Sequence, residues 1–291
     1  MKPAPFAYVA PESLTAVLHS LAEHGDEAKL LAGGQSLIPA MNFRLARPSV
    51  LVDVNRLDDL AFIRANGNLK IGAMTRQHQL ETNPLIAQHD PLLHEMMPHI
   101  AHPQIRNRGT MGGSLAHADP AAELPVYAVA RQARLRVRSV SSDRWVAADD
   151  FFQGLFATAL APEEMVTEVA IPMLPARTGT AFVEMARRHG DYALAGVAVI
   201  VTLDASGMCE AARIVCLNVG EVPMVAHQAA STLVGERPSA DVIQAAAETA
   251  AAHEIDPAGD VHASAAYKRH LIKVLTRRAL GVAIDRAKRA D

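Results

Sequence analysis

The chain has 291 residues, half of them hydrophobic and 20% charged, with 28 basic against 31 acidic side chains for a net charge of −3. That balance supplies a sizeable core for one large or two ordinary domains and excludes the strongly basic surface of a generic nucleic-acid binder. Two cysteines, Cys209 and Cys216, provide neither a disulfide framework nor the ligands of an iron–sulfur cluster, and a reduced, cytoplasmic setting is expected.

The opening Met1-Lys2-Pro3-Ala4-Pro5-Phe6 has no apolar signal-peptide core. Leu14, Val17, Leu18 and Leu21 have helical spacing, so a helix is predicted within residues 12–24, capped by Ser13 and stopped by Gly25. Residues 29–32 and 50–54 read as strands, which makes the start of the chain a small β-α-β-like unit with a glycine turn at one strand end. A hairpin is predicted over 62–72, turning at Gly67-Asn68. Helices are expected over 75–82 and 85–97, irregular chain over 98–108, and a loop-rich stretch over 110–123. Pro125 opens a helix to about residue 130, and strands follow near 135–140 and 166–172.

The stretch from Pro172 to Gly179, with two prolines, a glycine and no apolar periodicity, reads as a domain boundary. It divides residues 1–175, with subdomains of about 1–57 and 58–175, from residues 176–291. Three strands are predicted beyond it, at 180–186, 196–204 and 211–219, with Gly207 in the last turn. Helices follow near 226–234, 240–253 and 264–280. The C-terminal part is thus expected to be a three-stranded antiparallel sheet with helices on one face. The longest smooth apolar run, residues 193–203, is far below the roughly 20 residues a bilayer span needs, so no membrane span is expected.

Two segments carry the chemistry. The first is Leu31-Ala32-Gly33-Gly34-Gln35-Ser36-Leu37; the second is Arg108-Gly109-Thr110-Met111-Gly112-Gly113-Ser114. Adjacent glycines let backbone N–H groups turn toward one point and let a ligand come close, so two such segments suit a long anionic ligand such as a dinucleotide held at two places. An ordinary strand–turn junction uses the same residues, and neither segment is a P-loop or a clean G-x-G-x-x-G fingerprint. After the second segment come Asp119 and Glu123. A carboxylate there can accept hydrogen bonds from sugar hydroxyls; equally, Asp119 can cap the turn before Pro120 and Glu123 can start a helix. Glu123 is the better sugar partner of the two. His94, His99, His102 and His117 do not fit zinc spacings and read as partly exposed side chains. Arg187-Arg188 reads as a solvated pair. With no nucleophile elbow in the sequence, any redox work falls to a cofactor.

The residues from Ala32 to Met41 with Arg44 resemble the first flavin-binding motif of the FAD subunits of molybdenum hydroxylases. Gln104 to Gly113 with Ala118-Asp119-Pro120 resembles their second motif. Ile71 to Thr75, Gly190-Asp191-Tyr192 and the region from Asp260 to Tyr267 also fit, so the likeness, closest to the medium subunit of carbon monoxide dehydrogenase-type enzymes, covers nearly the whole chain. It implies an α+β fold: a two-subdomain FAD-binding domain of the vanillyl-alcohol-oxidase (PCMH) type followed by a C-terminal domain with a three-stranded sheet and helices.

The resemblance also implies the cofactor and its contacts. Non-covalent FAD would lie with its pyrophosphate on the backbone of Ala32, Gly33, Gly34, Gln35 and Ser36, with Leu31 and Leu37 also among the cofactor-binding residues. Thr110, Gly112, Gly113 and Ser114 would face it from the other side. Ala118, Asp119 and Glu123 would meet the ribityl or ribose region, Met165 or Val166 an end of the cofactor, and Ile100 and Ala101 its flank, with Lys29 at the edge. Electrons would come from a small subunit with two [2Fe–2S] clusters, substrate oxidation from a molybdopterin-binding large subunit, and the acceptor would be NAD⁺, a quinone or a cytochrome. A dimer of heterotrimers is the implied assembly. Glu184 departs from the family, whose members often carry lysine there, and His102 replaces an acid before Pro103. The alternative is a self-sufficient flavin oxidoreductase on the same fold, for which no acid or base near the flavin is identifiable.

Overall fold

The computed structural model describes residues 1–290. Its first unit is a small parallel sheet, in which strands β1 (Ala7–Val9) and β2 (Ala28–Leu31) flank β3 (Val50–Asp53). Helix α1 (Leu14–His24) covers it, burying Val17, Leu18 and Leu21 against Ala28, Val50 and Val52. Ser13 caps this helix by accepting from the Ala16 N–H at 3.2 Å, and Gly25, at φ 51°, ends it. Helix α2 (Leu37–Asn42) leaves the end of β2 through the first glycine segment.

The second unit is a five-stranded antiparallel sheet with helices. Strands β4 (Ile63–Asn66) and β5 (Asn68–Gly72) form the hairpin at Gly67, whose φ of 72° demands glycine or a similarly permissive residue. Short helices follow as α3 (Gln77–Thr82), α4 (Pro84–His89), α5 (Pro91–Met96), α6 (Pro103–Arg106), α7 (Met111–His117) and α8 (Glu123–Ala130). The chain then lays down β6 (Arg134–Arg138), β7 (Asp143–Ala147), one turn of helix α9 (Ala148–Phe151), a small hairpin of β8 (Phe152–Gly154) and β9 (Ala157–Thr158), and β10 (Met165–Pro172). Strand β10 inserts between β5 and β6, so the order is β4-β5-β10-β6-β7.

The third unit is an antiparallel sheet of β11 (Thr178–Ala186), β12 (Ala193–Leu203), β13 (Cys209–Leu217) and the two-residue β14 (Met224–Val225), with helices α10 (His227–Ser231), α11 (Ala240–His253) and α12 (Ala265–Ala287). The apolar run of β12 is explained by burial on both faces. Val197, Val199, Val201 and Leu203 pack with Leu271, Leu275 and Ala279 of α12. Ala198 joins Leu124, Tyr127 and Ala128 of α8 in the core on the other face. Helix α12 lies so close to β11 that a Cβ on Gly179 would strike the carbonyl of Ala283. Among the described residues no helix is long and apolar enough to cross a membrane.

The α+β class is as expected, with several local corrections. The 110–123 stretch is not loop-rich: Thr110 caps α7, its Oγ1 accepting from Gly113 N–H at 3.1 Å, and the glycines lie inside the first turn. The helix expected over 85–97 is two helices, broken where Asp90 caps α5 and Pro91 opens it. The 98–108 stretch includes the helical turn α6. Strands β1 and β7 were not anticipated, and β14 makes the expected three-stranded C-terminal sheet four-stranded. Helices cover one face of that sheet from its own unit, and α8 of the second unit covers the other.

Asp90 is fully buried at the centre of the second unit. It caps α5 through Leu93 N–H (3.0 Å) and accepts from Tyr127 Oη and Arg131 Nε, both at 2.8 Å. Arg131 also donates to the carbonyl of Pro172, tying helix α8 to the end of β10. Replacing Arg131 by methionine leaves an uncompensated buried carboxylate. The expected loss is about 3–5 kcal/mol of unfolding free energy, read by urea denaturation; a loss below about 1 kcal/mol would mean that the pair contributes little beyond its packing.

Candidate functional site

Strand β2 ends at Leu31, and the chain turns through Gly33 and Gly34, the latter at φ 72°, into α2. Among the described residues, the backbone N–H groups of Gly33, Gly34, Gln35, Ser36 and Leu37 donate to no protein acceptor. All five residues are half-buried. Ser36 stands at the start of α2 without a side-chain cap, which leaves the positive end of the turn open. Gln35 folds back, donating from Nε2 to the Gly33 carbonyl at 3.1 Å. Five consecutive unused donors in one turn suit an anion with several oxygens.

The second segment lies against the first. A Cβ built on Gly33 would come within 2.6 Å of the Arg108 carbonyl oxygen and 2.8 Å of the Gly109 Cα, and one on Gly113 would lie 3.7 Å from the Ala32 Cβ. Gly33 therefore lets the two backbones touch, a role beside the ligand approach expected from the sequence. Gly112 is similarly confined by Ala73, 2.6 Å from its would-be Cβ. The N–H groups of this segment are engaged internally. Met111 donates to Thr75 O (3.0 Å), Gly112 to Ala73 O (2.8 Å), and Ser114 to Thr110 O (3.2 Å). What the segment presents outward is the small surface of Gly113 and the Ser114 side chain, both half-buried.

One network outside the two motifs fixes their spacing. Asn55 Nδ2 donates to the carbonyls of Leu31 (3.2 Å) and Ala32 (3.0 Å), and its Oδ1 accepts from Arg76 Nη2 at 2.6 Å. Arg76 Nη1 donates to the Arg108 carbonyl, also at 2.6 Å. Asn55 and Arg76 carry no motif of their own, and the sequence signal for them is slight: a polar residue just past a strand end, and a single arginine between Thr75 and a helix. Burial and the neighbouring Arg108 charge lower the pKa of Arg76 from its usual value, with Asp53 acting in the opposite sense. For Asp53 desolvation is the largest influence and raises it, but hydrogen bonds from Tyr8 Oη (2.6 Å) and from Asn55 together outweigh it, and the carboxyl sits below its ordinary range.

Farther along, Ala118 ends α7 in the left-handed region, and Asp119 accepts from Ala121 N–H at 2.9 Å, the capping role open to it from sequence. Glu123 opens α8 and is 6% exposed. Burial pushes its carboxyl up to about 8, helped by the charges of Glu184 and Asp119 and opposed by its own backbone N–H. Ile100 and Ala101 give their carbonyls to buried Arg106 (2.9 and 3.2 Å), which pairs with Glu81. The loop at Gly190 rests on them: a Cβ there would lie 2.8 Å from the Ala101 carbonyl and would strike the His102 ring. Met165 and Val166 are buried in β10, whose Thr167 carbonyl accepts from Ala73 N–H at 3.0 Å and so supports the strand end beneath Gly112. Lys29 is exposed on β2, away from this network.

Residues 4–174 match the model for the FAD binding domain in molybdopterin dehydrogenase, and residues 180–283 match the CO dehydrogenase flavoprotein C-terminal domain. The chain belongs to the FAD-binding medium subunits of the molybdenum hydroxylase family. It is 46% identical to the alpha subunit of the 6-hydroxypseudooxynicotine dehydrogenase complex of Paenarthrobacter nicotinovorans, over 99% of this chain and 97% of that one. It is 39% identical to the carbon monoxide dehydrogenase medium chain of Afipia carboxidovorans, over 99% and 100%. Among solved structures, carbon monoxide dehydrogenase from Hydrogenophaga pseudoflava superposes with a TM-score of 0.95 at 38% identity, covering 98% of this chain and 99% of that one. Quinoline 2-oxidoreductase from Pseudomonas putida 86 gives 0.93 at 38% identity, covering 99% of each. The FAD-binding domain is therefore present, and its turn of free amides, with Arg76 and Arg108 nearby, is chemically suited to the diphosphate of FAD.

Replacing Arg76 by methionine should cut the tie between Asn55 and the Arg108 carbonyl. Allowing for its partial exposure, the loss is about 1–2 kcal/mol, roughly ten-fold in FAD dissociation constant. Flavin fluorescence titration measures this directly; an unchanged constant would show that the spacing of the two turns does not rest on Arg76.

Proposed function

We propose that this chain binds FAD non-covalently and acts as the electron-transfer subunit of a three-component molybdenum hydroxylase. The row of unused N–H groups from Gly33 to Leu37, in a turn braced against Arg108–Gly109, carries this reading. These amides would hold the pyrophosphate, with Leu31 and Ala32 forming the approach. The Ser114 side chain, Gly113 and buried Thr110 and Gly112 behind them would close the opposite wall. Glu123, and less directly Asp119 and Ala118, would meet the sugar hydroxyls. Ile100, Ala101, Met165 and Val166 would form the apolar surround, and Lys29 the rim.

FAD supplies a two-electron store that can be filled and emptied one electron at a time. The protein's own part is to hold it, exclude water from it and set the charge around it. Electrons would arrive from a small [2Fe–2S] subunit and leave to an external acceptor such as NAD⁺, a quinone or a cytochrome. A molybdopterin-binding large subunit would oxidise the organic substrate, in a cytoplasmic dimer of heterotrimers. The relatives bear the names of complexes acting on 6-hydroxypseudooxynicotine, caffeine, carbon monoxide and glyceraldehyde while their medium chains remain alike, which fits a substrate chosen outside this subunit.

The purified chain should be yellow, with one FAD released into solution on denaturation. Gly33→Ala should lose flavin, because the new Cβ strikes the Arg108–Gly109 peptide at a cost of about 1–3 kcal/mol. Gly281→Ala, where nothing lies within 4 Å, should keep it. A colourless chain that ignores added FAD, or a Gly33→Ala variant with full flavin content, would contradict the reading.

A further inference from the structure

Strand β13 ends at Leu217, and Asn218 follows it at φ 57°, a left-handed backbone that asparagine tolerates better than most residues. The polar groups of Asn218 then reach three different parts of the chain. Its N–H donates to the Pro120 carbonyl at 3.1 Å. Its side-chain Nδ2 donates to the Ala193 carbonyl at 2.6 Å and lies 3.4 Å from that of Leu194. Its own carbonyl accepts from Lys268 Nζ at 3.3 Å. Lys268 is buried on α12, and its ammonium also pairs with Asp260 at 2.9 Å.

The way the C-terminal sheet ends explains these bonds. Strand β12 pairs with β13 only from Gly196, opposite Leu217, so Ala193 and Leu194 run past the last pair of that ladder. The Asn218 amide takes over where the ladder stops and gives buried Ala193 a donor for its carbonyl. Among the described residues, the bond from Asn218 N–H to Pro120 is also the one main-chain hydrogen bond outside helices and strands that joins the second unit of the fold to the third.

Both groups that Asn218 ties down flank the proposed cofactor site. Pro120 lies in a turn where Asp119 accepts from Ala121 N–H through its side chain and from Ala122 N–H, at 3.0 Å, through its carbonyl. That turn delivers Glu123 to the start of α8. Ala193 is preceded by exposed Tyr192 and by Gly190, which rests on Ala101 and His102. The segment from Gly190 to Ala193 is thus pinned at one end by the loop that holds Ala101 and at the other by Asn218.

We propose that Asn218 is a positioning residue for FAD: from the C-terminal domain it fixes the turn carrying Asp119 and Glu123 against the Gly190–Ala193 segment, as one wall of the cofactor cleft. The inference rests on the placement of FAD proposed above. Asn218 acts through Pro120 and Ala193, and Lys268 holds it from behind. The C-terminal domain thereby contributes to flavin binding without supplying any of the pyrophosphate turn.

The test is FAD titration of the full-length chain, read by flavin fluorescence and by the visible circular dichroism of the bound flavin. The dichroism reports the asymmetry around the isoalloxazine and does not follow stability. Asn218→Gly keeps the left-handed backbone and the N–H to Pro120 but removes the bond to Ala193. It should raise the FAD dissociation constant about ten-fold, the scale of one lost hydrogen bond at a buried carbonyl, and alter the dichroic band. Asn218→Asp also accepts the left-handed backbone and sets an acceptor against the Ala193 carbonyl, so it should have an effect at least as large. The two variants lose the same bond by different means, and either one that folds decides the matter. Arg286→Met removes another tie between the same two units, the pair with Glu95; it should lower the urea midpoint and leave both flavin readouts at their wild-type values. Wild-type affinity and dichroism in the Asn218 variants would overturn the proposal. So would an Arg286→Met chain with the same flavin changes, because any loosening between the units would then suffice. A wild-type chain that binds no FAD sinks the functional reading as a whole, whereas FAD binding that ignores Asn218 sinks this inference alone.

Discussion

The structure depends on a contact between two backbones. Gly33 approaches the Arg108–Gly109 peptide so closely that a Cβ on Gly33 would strike it. Everything that makes the cleft follows from it. The turn after β2 is held against the start of α7, its five amides are left without protein acceptors, and the second segment spends the N–H groups of Met111 to Ser114 on bonds within the protein. Asn55 and Arg76 maintain this contact from behind, by binding carbonyls of both segments at once. The binding surface is thus preorganised by the fold, and the free donors need no rearrangement to meet an anion.

Charge is distributed unevenly along the cleft. Arg76 and Arg108 accompany the turn that would take the diphosphate, whereas Asp119 and Glu123 stand between α7 and the first turn of α8. The fold follows that of carbon monoxide dehydrogenase from Hydrogenophaga pseudoflava closely, with a TM-score of 0.95. The C-terminal sheet is not an appendage: one face buries α12, while the other supplies Phe182, Ala198 and Val215 to the core beneath the site.

Much of this was legible in the sequence wherever a local signal agreed with the tertiary outcome. Ser13 and Gly25 bracket α1, Gly67 turns the β4–β5 hairpin, and the uninterrupted apolar run of β12 marks a strand buried on two sides. Helix α7 escaped notice because paired glycines oppose helix formation, and its stability comes from the Thr110 cap and from Ala73 and Thr75 beneath it. Strand β1 is short and has exposed residues, so only its pairing with β3 defines it. Within the site, the glycine segments announced themselves by composition. Asn55 and Arg76 did not, because each depends on residues brought together from distant parts of the chain, and no spacing in one dimension records that.

The central claim is that the amides from Gly33 to Leu37, and not those of the second glycine segment, receive the diphosphate of FAD. Amide chemical shifts of nitrogen-15-labelled, flavin-free protein, followed as FAD is added, test it most directly. The account predicts large downfield displacements at residues 33–37 and smaller ones at Gly112, Gly113 and Ser114, whose N–H groups already have partners. Undisturbed amides at 33–37, with the main changes at 112–114 or elsewhere, would contradict it.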